Sequence, residues 1–92
     1  KPLDTALLQE VFATCQAVAV VEEHSIIGGA SAAVAEWALS QPKLKARLVS
    51  CALEDKFYHR VGSQTELRGH GGLTREAVVS KVTQALSIAE AA

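Results

Sequence analysis

Glu22, Glu23 and His24 stand in a row four residues ahead of the pair Gly28-Gly29, and their types and spacing point to chemistry more than any others in the chain. A carboxylate beside an imidazole supports the imidazolium near neutral pH, which equips such a trio to share a proton or hold a ligand. Two glycines at the start of a helix leave backbone N–H groups and the positive end of the helix dipole open to an anion. The ligand-binding candidates are therefore Glu23, His24, Gly28 and Gly29, with no catalytic residue and no metal ligand assigned. The pair falls short of a phosphate-binding fingerprint, because no third glycine and no lysine follow it. Adjacent strand residues point to opposite faces, so Glu22 and Glu23 cannot share one pocket if the strand runs through them. The plainer role is to orient the turn and meet neighbouring domains.

The flanking sequence makes this run a strand-to-helix turn. Ala17 to Glu23 opens as a continuous Val-rich stretch, the pattern of a strand buried on both faces. Ala30 to Gln41 has helical composition, with Ala30, Ala33, Val34 and Trp37 as a stripe of small residues ended by a bulky one, and Pro42 stops it. Before the strand, Asp4 caps a helix to about Thr14, whose Leu7, Leu8, Val11, Phe12 and Cys15 share the face that should meet a sheet. After it, Ala46 to Leu53 reads as a second strand, and the helix between the two is long enough for the crossover that makes them parallel. Ser63-Gln64-Thr65-Glu66 fits a capping box for a short helix ended by Gly69 and Gly71-Gly72. Thr74 caps a last helix in which Val78, Val79, Val82, Ala85, Leu86 and Ala89 recur with helical period.

Composition excludes several function classes. Nine Lys and Arg against ten Asp and Glu, with no basic tract, argue against nucleic acid as a partner. No apolar run approaches the roughly 20 residues of a membrane span and no signal-peptide pattern is present, so the expected location is the cytoplasm. Cys15 and Cys51 lack metal or redox spacing and read as small core residues. Asp55 and His59 could share a helical face, but two ligands make no metal site and a solvated pair is the simpler reading. His70, among glycines, reads as a loop residue, and Trp37 as a packing anchor rather than a stacking platform.

The run Val21-Glu22-Glu23-His24-Ser25-Ile26-Ile27-Gly28-Gly29, followed by an Ala-rich helix with Val34 and Glu36, resembles the carboxyl-terminal domain of transketolase. Lys1-Pro2-Leu3-Asp4, Asp55, Phe57, Gly62-Ser63, Glu66-Leu67 and Gly72-Leu73-Thr74 match that family in order and spacing, so the resemblance covers nearly the whole of the 92 residues. The same domain type recurs in deoxyxylulose phosphate synthases and in thiamine-dependent subunits of pyruvate dehydrogenase type complexes, and the EEH-x-x-x-GG form looks closest to transketolases. Two departures stand out: Ser31 where the family reads Gly-Gly-x-Gly, and Ala52 where it has the first Gly of a Gly-x-x-Asp turn.

The resemblance implies an α/β fold of three layers, α/β/α, with a largely parallel sheet of about five strands. Only two strands are legible, both of interior type, and two do not make a stable parallel sheet. Residues 1–92 are therefore expected to be the latter part of such a domain, lacking its first strands, with exposed edges that can pair with another copy. By the same resemblance the parent is a thiamine diphosphate and Mg²⁺ enzyme transferring a two-carbon ketol unit between sugar phosphates. Those contacts fall in its preceding domains, leaving this chain without a cofactor and with other domains or subunits, including a homo-oligomer, as partners. The alternative is a stand-alone interaction or small-anion module using the Glu23 to Gly29 turn.

Overall fold

A computed structural model describes residues 2–91 of the chain, with side chains through residue 88. The order is α1 (Thr5–Thr14), β1 (Ala17–Ser25), α2 (Ala30–Leu39), β2 (Arg47–Leu53), α3 (Gln64–His70) and α4 (Arg75–Ala91). Each helix starts where a side chain or a glycine takes over from the strand or loop before it. Asp4 Oδ1 accepts from Leu7 N–H at 3.0 Å, Ser63 Oγ from Glu66 N–H at 3.2 Å, and Thr74 Oγ1 from Ala77 N–H at 3.1 Å. These are the three caps expected from the sequence, and each satisfies a backbone donor that the first helical turn leaves without a partner.

β1 and β2 pair in parallel and make up the sheet among the described residues, with α2 as the crossover between them. Helices cover both faces, giving the three-layer α/β/α arrangement of a partial transketolase C-terminal-like fold. On one side Phe12 of α1 is fully buried and its ring lies 5.5 Å from that of Trp37 at 56°, which ties α1 to α2. On the other side Val49, Cys51 and Ala85 form a core against which Ala17, Leu73, Val78 and Val82 pack, so β2 is sealed by α4.

The structure adjusts several expected boundaries. β1 runs to Ser25 rather than Glu23, because Ser25 re-pairs with Leu53 after an irregular stretch. α2 ends at Leu39, two residues before Gln41, where the Ser40 hydroxyl donates to the Trp37 carbonyl at 2.6 Å and competes with further winding. β2 starts at Arg47, and α3 continues through Gly69 to His70 before Gly71 closes it. Cys15 is exposed, not a core residue, because it lies past the last turn of α1 in extended backbone. Leu7 is exposed as well, so the buried part of the expected α1 face is centred on Phe12. Lys1 lies outside the described residues, as does the side chain of Ala89.

The two strands are unevenly covered. Val49 and Cys51 are buried, whereas Val21, the register partner of Cys51, is 56% exposed. The bare surface belongs to β1.

Candidate functional site

The last residues of β1 set up everything at the carboxyl end of the sheet. Val21 pairs with Cys51 and Ser25 with Leu53, so four steps along β1 match two along β2 and Glu22, Glu23 and His24 bulge out of register. Bulges re-aim side chains, and the pleat sends neighbours to opposite faces. The carboxylates of Glu22 and Glu23 consequently find different partners, Glu22 on α2 and Glu23 on α3, although both residues line the same groove.

Glu22 turns toward α2. Its Oε1 accepts from Ala30 N–H at 2.8 Å and its Oε2 from Ser31 N–H at 2.6 Å, so both carboxylate oxygens serve the first turn of that helix. The α2 cap is Gly29, which has no side chain to offer, and the strand supplies the acceptor instead. A negative charge in this place is favoured by the helix dipole as well as by the hydrogen bonds. Glycine at position 29 leaves room for the Glu22 carboxylate, because a Cβ there would meet it and would lie 3.0 Å from His24 Nδ1. Gly28 sits at φ +79°, in the left-handed region that side chains disfavour. Ser25 completes the turn by accepting from Ile27 N–H at 3.2 Å, while the Ile26 N–H reaches across to the Leu53 carbonyl at 2.8 Å.

Glu23 turns to α3. Arg68 Nε donates to its Oε1 at 2.6 Å, Arg68 Nη2 reaches the same oxygen, and Gln64 Nε2 lies 3.1 and 3.3 Å from the two oxygens. The Arg68 hydrogen bonds, and after them that of Gln64, hold the Glu23 carboxyl below the ordinary carboxylate range. His24 Nδ1 lies 2.8 Å from the Ser25 carbonyl and contacts neither glutamate network through a hydrogen bond.

Of the four candidates, Gly29 is packed under Glu22, Gly28 shapes the turn, Glu23 anchors α3 and His24 engages its own neighbour. They are close in sequence, yet their side chains and backbone serve different contacts. The sequence reading left Glu22 out of the set, although a glycine-capped helix after a strand ending in carboxylates was the available signal. Arg68 and Gln64 carried no such signal, being 45 and 41 residues from Glu23.

Two grooves flank Glu23. One of about 700 Å³ lies between β1 and α4, lined by Val21, Leu73, Val78 and Val79 and by the charged residues Glu22, Glu23, Arg68 and Arg75. The other, about 380 Å³, lies under α3 and is lined by Leu53, Leu67 and Leu73 with Glu23, Gln64 and Arg68. Asp55 and His59 lie in the irregular stretch between β2 and α3, where a spacing of four has no helical meaning. Among the described residues no group of three or more His, Cys, Asp or Glu could hold a metal ion, and no helix is long and apolar enough to cross a membrane.

Residues 1–78 match the family described as Transketolase, C-terminal domain. The chain belongs to that family. Similar proteins include the 1-deoxy-D-xylulose-5-phosphate synthase of Chlorobium phaeovibrioides, 43% identical over 82 residues that make up 89% of this chain and 13% of that protein. The synthases of Sodalis glossinidius and Idiomarina loihiensis are 41% and 38% identical, over 79% and 89% of this chain and 12% and 13% of their own lengths. The chain thus spans about an eighth of these relatives, whose name differs from the transketolase that the Glu22-Glu23-His24 form suggested. No solved structure matches it. Within the transketolase C-terminal domain family, this member keeps the two departures noted in its sequence. Ser31 is 1% exposed and its hydroxyl bonds that of Ser50, while Ala52 is buried at the end of β2.

Proposed function

We propose that this chain is the C-terminal-domain segment of a thiamine diphosphate-dependent enzyme that makes 1-deoxy-D-xylulose 5-phosphate, and that it supports the enzyme by packing against other domains or subunits. The observation that carries the reading is the set of synthases 38 to 43% identical over most of the chain, joined to a turn built from internal contacts. A transketolase parent, moving a two-carbon ketol unit between sugar phosphates, rests on the EEH-x-x-x-GG form alone.

The residues present do not fit a diphosphate and Mg²⁺. Divalent magnesium in such sites is held by one or two carboxylates together with phosphate oxygens, and the carboxylates at this turn, Glu22 and Glu23, are both engaged by groups of the chain itself. The helix start that favours an anion is already served by the Glu22 carboxylate, which would repel a phosphate. The same contact weighs against the small-anion module, because a ligand at Gly28-Gly29 would have to displace Glu22. The exposed flank of β1, with Val21 bare beside the larger groove, is the surface we assign to the neighbouring domain or to a second copy.

The test is turnover by the 92-residue chain supplied with thiamine diphosphate and Mg²⁺. We expect none above a buffer control. Product formation that disappears when thiamine diphosphate is omitted would overturn the supporting role.

A further inference from the structure

The loop between β2 and α3, residues 54–63, gathers basic side chains at the carboxyl end of the parallel strands. Lys56, Phe57, Tyr58, His59 and Arg60 line an open cleft of about 370 Å³, and His70 at the end of α3 completes its wall. The loop folds onto itself: the Tyr58 hydroxyl accepts from Glu54 N–H at 3.1 Å, and Lys56 Nζ stands 5.2 Å from the centroid of the Tyr58 ring. Glu54 pairs with Lys56 at 3.5 Å, yet neither Glu54 nor Asp55 lines the cleft. Arg60 is the central group. Among the described residues its guanidinium forms no ion pair, and its side-chain hydrogen bond goes to the His70 ring, Nη1 to Nε2 at 3.4 Å. A guanidinium only donates, so His70 Nε2 accepts and the ring proton sits on Nδ1. The other N–H groups of Arg60 have no acceptor among the described residues.

We propose that this cleft binds a phosphate group, free or as a monoester, with Arg60 as its main donor and Lys56, His59 and His70 around it. Apart from the Tyr58 phenol, every titratable side chain that lines the cleft is basic. A carboxylate would occupy the guanidinium fork alone, whereas a tetrahedral phosphate offers acceptors on several sides. That suits a guanidinium, an ammonium and two imidazoles set around one hollow. Phe57, 89% exposed, gives the apolar part of an ester a surface beside the charges. With no carboxylate in its wall the cleft offers nothing to Mg²⁺, which separates it from a diphosphate and metal site. Its position fits as well, since α/β sheets receive ligands at the carboxyl ends of their strands. This assignment is independent of which reaction the parent enzyme performs.

The test is arginine labelling with phenylglyoxal, read peptide by peptide by mass spectrometry on the protein at its native length. Inorganic phosphate at about 10 mM should slow labelling of Arg60 by about threefold or more relative to chloride of equal ionic strength, which screens equally without bridging the donors. Arg47, at the other end of β2, should label at the same rate in both. His70→Ala and Lys56→Gln should each raise the phosphate concentration needed by about threefold or more, whereas Lys43→Gln, the same loss of charge ahead of β2, should leave it unchanged. Phenyl phosphate acting at lower concentration than inorganic phosphate identifies the ligand as an ester, and equal potency identifies it as the free ion. Labelling of Arg60 that ignores phosphate, protection that chloride reproduces, protection by an acidic peptide and not by phosphate, or variants at His70 and Lys56 that leave protection intact would each overturn the site.

Discussion

Gly29→Ala is the sharpest test of how the turn is built. The backbone at Gly29, φ −97° and ψ −162°, is open to any residue, so strain is not the issue. The added Cβ would meet the Glu22 carboxylate, lying 2.9 Å from Cδ, and the flexible glutamate is the group that gives way. In moving it surrenders its bonds to the N–H groups of Ala30 and Ser31. Losing a capping acceptor costs about 0.5 to 2 kcal/mol and losing the charge from the helix dipole about 0.3 to 1 kcal/mol, so a net loss of about 1 to 2 kcal/mol is expected. Glu22→Ala should cost about the same, because it removes the same contacts. In the Glu22→Ala background, Gly29→Ala should cost clearly less than in the wild type, since the Glu22 obstacle is gone, alanine restricts the unfolded chain by about 0.4 to 1 kcal/mol, and only the His24 ring has to give way. Urea unfolding followed by Trp37 fluorescence, at one fixed protein concentration, measures all four corners of the cycle. Two single losses that simply add in the double variant would show that Gly29 and Glu22 act separately, and would refute this account of the turn.

Three further outcomes follow from the same geometry. Gly28→Val should destabilise by about 1 kcal/mol or more, because φ +79° is a strained position for a β-branched residue, and equal denaturation midpoints with equal slopes would contradict it. The Glu23 carboxyl is depressed in the folded protein, so its hold on α3 is complete at neutral pH and is lost as pH falls below the ordinary value of about 4.3. Backbone amide shifts of α3 should therefore differ between wild type and Glu23→Gln throughout the range above about pH 4.3 and converge only in more acid solution; a difference that widens on acidification would be the wrong sign. Sedimentation equilibrium of the 92-residue chain should show self-association through the exposed flank of β1, weakened by Val21→Lys, whereas a strict monomer at all concentrations would mean that this flank needs no cover.

The legible parts of the fold were those written in local chemistry. Asp4, Ser63 and Thr74 announced three helix starts because a capping oxygen acts within three residues of itself. The two strands and their parallel pairing followed from two largely apolar runs separated by a crossover helix. The extension of β1 to Ser25 was hidden, since the bulge over Glu22 to His24 depends on re-pairing with Leu53, a residue far away in sequence. Ser31 escaped the expected α2 stripe for a similar reason: its burial is permitted by the Ser50 hydroxyl across on β2. At the candidate site, alternation along a strand could not say what Glu22 and Glu23 would find, because both lie in the stretch where the register is irregular. Glu22 found a helix start eight residues on, and Glu23 a guanidinium 45 residues on. Only the first of these lay within reach of sequence reasoning.

The central claim is that this transketolase C-terminal domain segment serves an enzyme making 1-deoxy-D-xylulose 5-phosphate. It is tested most directly by assaying the complete gene product that carries the chain, with and without thiamine diphosphate, and identifying the sugar phosphate formed by mass spectrometry. The expected product is 1-deoxy-D-xylulose 5-phosphate, formed only with the cofactor. Two-carbon ketol transfer between sugar phosphates without that product, or no cofactor-dependent product at all, would contradict it.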